Sequence, residues 1–171
     1  MPRTDSAYID QLLEGGAVKL EITRGIPTWE AFPGLRHQVA IDLIRASIKP
    51  VDRGGDSERE CAHFSDVLIS FRDGSLKRPD IAIFCTRPPI QDEALTQVPA
   101  AVVEVISPGY EYKDLELNPQ FYPAEGVEDV IIVDPRAGLV THHNSSGATT
   151  EHAPVTLTLN CGCQCTVPQV G

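Results

Sequence analysis

Apolar residues fall along this chain in short runs whose period shifts between two and about 3.6. Two runs stand out between Arg78 and Pro108: Ile81-Ala82-Ile83-Phe84, and Ala101-Val102-Val103 with Val105-Ile106 after an interrupting Glu104. Near-continuous apolar stretches of this length, bounded by proline, predict short strands buried on both faces. From Leu35 to Ile48 the residues Leu35, Val39, Leu43 and Ile44, with Ala40 and Ile48, recur at helical spacing. They predict one long helix, closed by Lys49-Pro50. Ala17 to Ile22 and Ile26 to Glu30 predict a hairpin across Thr23-Arg24-Gly25, where Gly25 supplies the backbone freedom of a tight turn. Phe64 to Phe71 reads as a strand that returns, through the turn Arg72-Asp73-Gly74-Ser75, to an antiparallel neighbour carrying Asp80. Val130 to Val133, Leu139 to His143 and Val155 to Leu159 complete the expected sheet.

The remaining segments are less regular. Asp5 to Glu14 predicts a short helix behind a cap at Thr4 or Asp5. Pro50 to Glu60, polar and Gly-rich, reads as a mobile loop, and Thr86 to Pro99 as a long loop forming a rim beside Asp80. A helix is expected between Tyr110 and Glu125, but Pro119 and Pro123 interrupt it. An interior proline costs about 3 kcal/mol, which leaves a short helix near Lys113 to Leu117 or a kinked one. Residues 160–171 read as a loose tail, so positions 1–171 form a single α/β (α+β) domain: a mixed sheet flanked by helices with an N-terminal hairpin.

Composition sets outer limits. A length of 171 residues suits one domain with a real core. No leader pattern opens the chain and no apolar run approaches the roughly 18 residues of a membrane span, so a cytoplasmic protein is expected. Five cysteines, an odd number, argue against a disulfide framework and for free thiols in a reducing compartment. A formal net charge of −10 disfavours a broad basic face gripping nucleic acid. It leaves room for a local site in which a cation bound by carboxylates inverts the field.

The candidate chemistry lies in the two buried strands. Asp80 opens one and Glu104 interrupts the other, and an acid inside a valine run must be paired, metal-bound or protonated. Two carboxylates at one edge suit Mg²⁺ (or Mn²⁺), which takes one or two protein oxygens and keeps water and substrate phosphate for the rest of its shell. The carbonyl of Val105 is a candidate third ligand. A structural alternative pairs Asp80 with Arg78, and Lys77, Arg78 and Lys113 are then ordinary solvated or paired cations. Glu21 faces solvent on its strand or joins the site as a third acid, and strand position by itself favours solvent. His37 faces the site or is an ordinary surface histidine. Cys161, Cys163 and Cys165 alternate; their spacing is tight for zinc, even with His142, His143 or His152 as fourth ligand, and small apolar filler is the simpler reading.

Pro79-Asp80, Glu104 within Val-Val-Glu-Val-Ile-Ser-Pro, then Asp114, Tyr122, Gly126-Val127 and Ile131-Ile132-Val133-Asp134-Pro135 resemble the Uma-two family of putative restriction endonucleases, within the PD-(D/E)xK nuclease superfamily. The resemblance also takes in Glu21 and His37-Gln38. It implies a restriction-endonuclease-like core, Asp80 and Glu104 as metal ligands, Glu21 as a supporting acid, and Mg²⁺-dependent hydrolysis of DNA. Apart from the resemblance, the apolar strands near both ends and the two cuts a duplex substrate needs suggest a homodimer. Such nucleases also use a lysine. The superfamily position two residues after the glutamate is Ile106 here, and the position on the following helix is Asn118. Lys113 is a substitute only if the helix unwinds near Pro119, because five residues of ideal helix place it about 140° from Asn118. Without that cation the resemblance implies instead an inactive member of the fold, kept for binding or assembly.

Overall fold

The computed structural model describes residues 18–52, 54 and 59–171. The expected helix over Asp5 to Glu14 and much of the loop between Pro50 and Glu60 lie outside them.

The first described element is the hairpin of β1 (Val18–Thr23) and β2 (Ile26–Ala31), in which Thr23 pairs with Ile26 across Arg24 and Gly25. Both turn residues have positive φ, 50° and 82°. That is the twist a two-residue hairpin needs, and glycine supplies half of it without strain. Helix α1 follows over Leu35–Ser47, as its periodicity predicts.

The main sheet has six strands in the order β11-β10-β9-β8-β7-β4: β4 (Ala62–Phe64), β7 (Ile81–Phe84), β8 (Ala101–Val105), β9 (Asp129–Asp134), β10 (Leu139–Asn144) and β11 (Gly147–His152). Only β8 and β9 run parallel, and the helical segment between them is the crossover that a parallel pair requires. Odd-numbered residues of β8 pack, with Ile81 and Ile83, against Ala40, Ile41 and Ile44 of α1. Even-numbered ones face Phe121 and Tyr122 on the opposite side. Two buried faces explain why these strands read as unbroken apolar runs.

The expected strand from Phe64 to Phe71 is two strands in two sheets. Asp66, at φ 58°, turns the chain out of β4. Beyond it β5 (Ile69–Ser70) joins β6 (Leu76–Lys77), β1 and β2 in a separate four-stranded sheet. The Thr86 to Pro99 loop is also not where the sequence placed it. It leaves the end of β7 remote from Asp80, and Leu95 ties it to β5 through hydrogen bonds with Leu68 and Ser70.

The loose tail is likewise replaced by structure. β13 (Cys163–Val167) pairs with β12 (Val155–Thr158) and the two-residue β3 (Lys49–Pro50) in a third sheet, so β12 belongs there rather than to the main sheet. Cys163 forms a disulfide with Cys61, Cα atoms 5.9 Å apart, where the sequence suggested free thiols. Cys161 and Cys165 are buried free thiols, so of the three alternating cysteines only Cys163 is in the disulfide. Burial pushes the Cys161 thiol up to about 11.

Candidate active site

β7 and β8 pair with Ile81 opposite Val103 and Ala82 opposite Val102, which carries the next pair to Asp80 and Glu104. Both acids therefore share the face occupied by Ala82 and Val102. The Asp80 backbone N–H donates to Glu104 Oε2 at 3.3 Å, and Val105 N–H donates to Asp80 Oδ2 at 2.8 Å. Val105 thus reaches Asp80 through its amide.

The two acids have different surroundings. Burial works against the charge on Asp80, but Lys19 Nζ lies 3.4 Å from Oδ1 and His37 Nε2 3.1 Å from Oδ2, and these hold the carboxyl well below its usual range. Glu104 is fully buried. It accepts from Tyr122 Oη at 2.8 Å and Asn118 Nδ2 at 3.3 Å, yet burial and the neighbouring Asp80 push it up to about 7 despite Lys113. Arg78 does not pair with Asp80. Its guanidinium takes Asp66 instead, at 3.0 Å, while its backbone N–H donates to Glu21.

Glu21 does not face solvent. On β1 the polar positions Lys19, Glu21 and Thr23 are the buried ones and Leu20 and Ile22 are half-buried, the reverse of an ordinary amphipathic strand. The reason is Lys77, from β6. Its ammonium is wholly buried and donates to Glu21 Oε2 (2.8 Å), Thr23 Oγ1 (3.3 Å) and Asn118 Oδ1 (3.0 Å), above the rings of Phe121 and Tyr122. Burial alone would raise Glu21, but Lys77 and Lys113 bring it far below the ordinary carboxylate value. A charge this deep persists only with such partners.

The crossover opens with a π-helical turn, Lys113–Leu117, running directly into α2 (Asn118–Ala124). Pro119 has no N–H to give the carbonyl four residues back, and its ring crowds that carbonyl. A wider turn relieves both problems. The Asn118 N–H accordingly donates to the Lys113 carbonyl, five residues back. The turn brings the Lys113 side chain round to the acids, where its ammonium lies 2.6 Å from Glu30, 3.7 Å from Asp114 and 4.0 Å from Glu21. Burial opposes the Lys113 charge, but Glu104, Glu21 and Asp114 raise its pKa far above the usual lysine value. Asn118 joins the two sides of the site: its Oδ1 accepts from Lys77, and its Nδ2 donates to both Asp114 (3.1 Å) and Glu104. Burial and the charge of Glu104 push Asp114 up to about 8.

Glu21, Glu30, Asp80, Glu104 and Asp114 thus face Lys19, Lys77 and Lys113, a formal excess of two negative charges. The raised values of Glu104 and Asp114 express that excess as proton uptake. One divalent cation would offset it equally well. Among the described residues no three His, Cys, Asp or Glu side chains form a ready-made metal cage. Two hard-oxygen carboxylates with lone pairs to spare are nonetheless the donor set Mg²⁺ accepts.

Sequence reasoning placed Asp80 and Glu104 together and missed the roles of Lys19, Lys77 and Asp114. The signal for the first two was the alternation Lys19-Leu20-Glu21-Ile22-Thr23, whose polar face turns inward.

The model of a family described as "putative restriction endonuclease", Uma2, matches residues 6–161. Among solved structures, the chain is similar to one described as a putative nuclease belonging to DUF820 from Anabaena variabilis, with a TM-score of 0.64 and 17% identity over 81% of this chain and 79% of that one. At that identity the likeness establishes the shared fold. No curated protein matches. No helix among the described residues is long and apolar enough to cross a membrane.

Proposed function

Because the chain belongs to the Uma2 family, we propose that it is a Mg²⁺-dependent endonuclease hydrolysing DNA phosphodiester bonds, with Asp80, Glu104 and the Val105 carbonyl as metal ligands. The observation that carries this reading is the side-by-side placement of Asp80 and Glu104 on one sheet face, in unlike protonation environments, opposite three lysines. Bound Mg²⁺ would lower the pKa of an attacking water and stabilise charge on the phosphoryl oxygens. Asp80 is ready to bind as the charged form. Glu104 must first release its proton, so metal binding and proton loss are linked.

Lys113 is the cation that replaces the one absent from Ile106 and Asn118. Together with Lys19 it lines the cleft beside the acids, whereas Lys77 is sealed behind Asn118. An ammonium at the cleft stabilises charge developing on the substrate. Its removal by Lys113→Ala is expected to slow cleavage by about a hundredfold or more.

Plasmid nicking by the wild type, Asp80→Ala and Glu104→Ala in Mg²⁺ tests the reading, with calorimetric Mg²⁺ titration of each protein alongside. Loss of nicking and of Mg²⁺ binding in both variants is expected. Nicking indifferent to both substitutions would mark a contaminant and end the nuclease reading.

One observation favours a second reading, a catalytically silent member of the fold. Lys19, Lys77 and Lys113 are all held in ion pairs, and an amide occupies the lysine position. Mg²⁺ binding without nicking would select it.

A further inference from the structure

Two clefts open beside the acids, one on each side of Tyr110, which lines both. The first, about 320 Å³, has Lys19 and Lys113 with Glu21 and Glu30 in its wall and carries Trp29 and Tyr112, which are 55% and 74% exposed. The second, about 340 Å³, carries the exposed Arg36 and Arg136 and includes His37. Each cleft touches one partner of Asp80, Lys19 in the first and His37 in the second, while Asp80 itself is buried behind them.

Exposed aromatic rings are what an unpaired base recognises by stacking, and a pair of guanidiniums is what a phosphate recognises. Duplex DNA presents phosphates and shields its base faces, and a chain with net charge −10 is poorly equipped to hold it by charge alone. Stacking supplies affinity that a negative surface does not forfeit. We propose that the two clefts bind successive nucleotides of one unpaired polynucleotide strand, with a base stacked on Trp29 and Tyr112 in the first cleft and the adjoining phosphate held by Arg36 and Arg136 in the second. The substrate class is then a strand with at least one unpaired base, such as a single strand, a flap or a frayed end. This inference deepens the nuclease reading and rests on it only for which bond is cut.

Trp29 is the one tryptophan in the chain, so its fluorescence reports the first cleft directly. The wild type is titrated with a twelve-residue oligothymidylate and with a blunt-ended hairpin duplex, Ca²⁺ being the only divalent cation. The single strand is expected to quench Trp29 and to bind at least tenfold tighter than the duplex. With labelled oligonucleotide and anisotropy, Trp29→Leu and Tyr112→Leu are each expected to lose about tenfold in affinity, and Trp29→Phe to recover most of it. Arg36→Gln with Arg136→Gln is expected to flatten a salt slope of about −1.4, the value for two phosphate contacts. Melting curves check that each variant folds. Equal affinity for both probes, binding to neither, or undiminished binding by Trp29→Leu and Tyr112→Leu would overturn the inference. The nuclease reading fails separately, if the single strand binds as described but Mg²⁺ yields no cut.

Discussion

Lys113 and Asn118 stand on the same side of one helical segment because the Asn118 N–H bonds to the Lys113 carbonyl across a π turn. An α-helical register would set them about 140° apart. This widening lets Lys113 act on Glu104 while Asn118 bonds to it, so a backbone irregularity brings a cation to a position where the local sequence supplies only an amide.

Pro119→Ala restores the missing N–H and allows the turn to tighten. The helix is expected to become slightly more stable while Lys113 turns away from the acids. NMR titration of the Glu104 carboxyl reads the outcome directly: its pKa should rise above about 7, because Lys113 opposes the upward shift. An unchanged Glu104 titration would mean that the wide turn does not depend on the proline.

Asn118→Lys places an ammonium next to Lys77, which already lies 3.0 Å from the amide oxygen at that site. Two cations side by side in a fully buried site are expected to cost about 3 kcal/mol of stability, on the scale of a broken buried pair. Combining Asn118→Lys with Lys77→Met removes the clash and should recover most of that loss. Urea unfolding of the two single variants and the double variant provides the cycle. An Asn118→Lys protein as stable as wild type would show that Lys77 can leave its pocket freely.

Stability should fall as pH rises through neutrality. Glu104 is lifted from an ordinary 4.5 to about 7, and Asp114 from 3.8 to about 8. In that window the folded chain retains protons that the unfolded chain has released, so ionisation favours unfolding, by an amount on the order of a few kcal/mol. Asp80 has the opposite sense. Its pKa is depressed on folding, so its contribution is present above about pH 4 and is lost in acid. Melting temperature without divalent ions should therefore drop between pH 5.5 and 8, and the slope should flatten in Glu104→Gln combined with Asp114→Asn. Mg²⁺ should also bind more tightly across the same interval, with proton release detectable in buffers of different ionisation enthalpy.

Reduction of the Cys61–Cys163 disulfide is expected to cost about 2–5 kcal/mol, since it closes a loop of 102 residues in the unfolded chain. Melting with and without reductant, and the same comparison on Cys61→Ser, give the measurement. A reductant effect on Cys61→Ser equal to that on wild type would assign the loss to a different disulfide.

What could be read from the sequence followed from burial on two faces. The runs at Ile81 to Phe84 and Ala101 to Val105 have no solvent side, so their strand character and the oddity of Asp80 and Glu104 within them were visible locally. On β1 hydrophobic patterning favours the wrong face inward, because it assumes that the polar side meets water, and here it meets Lys77. The strand expected from Phe64 to Phe71 was divided by Asp66, a non-glycine residue at positive φ that no composition rule marks. The disulfide and the pairing of Lys19 with Asp80 join positions 102 and 61 residues apart, and contacts at that range leave no local pattern.

Ser47, the last residue of α1, accepts a hydrogen bond from the Thr166 N–H at 2.8 Å, and its own hydroxyl lies 3.1 Å from the Thr166 carbonyl. The far end of that helix bears His37, which steadies Asp80. The closing dozen residues therefore act as a brace on the Asp80 carboxylate from the opposite flank of the molecule, and trimming them would be felt first in how Asp80 is held.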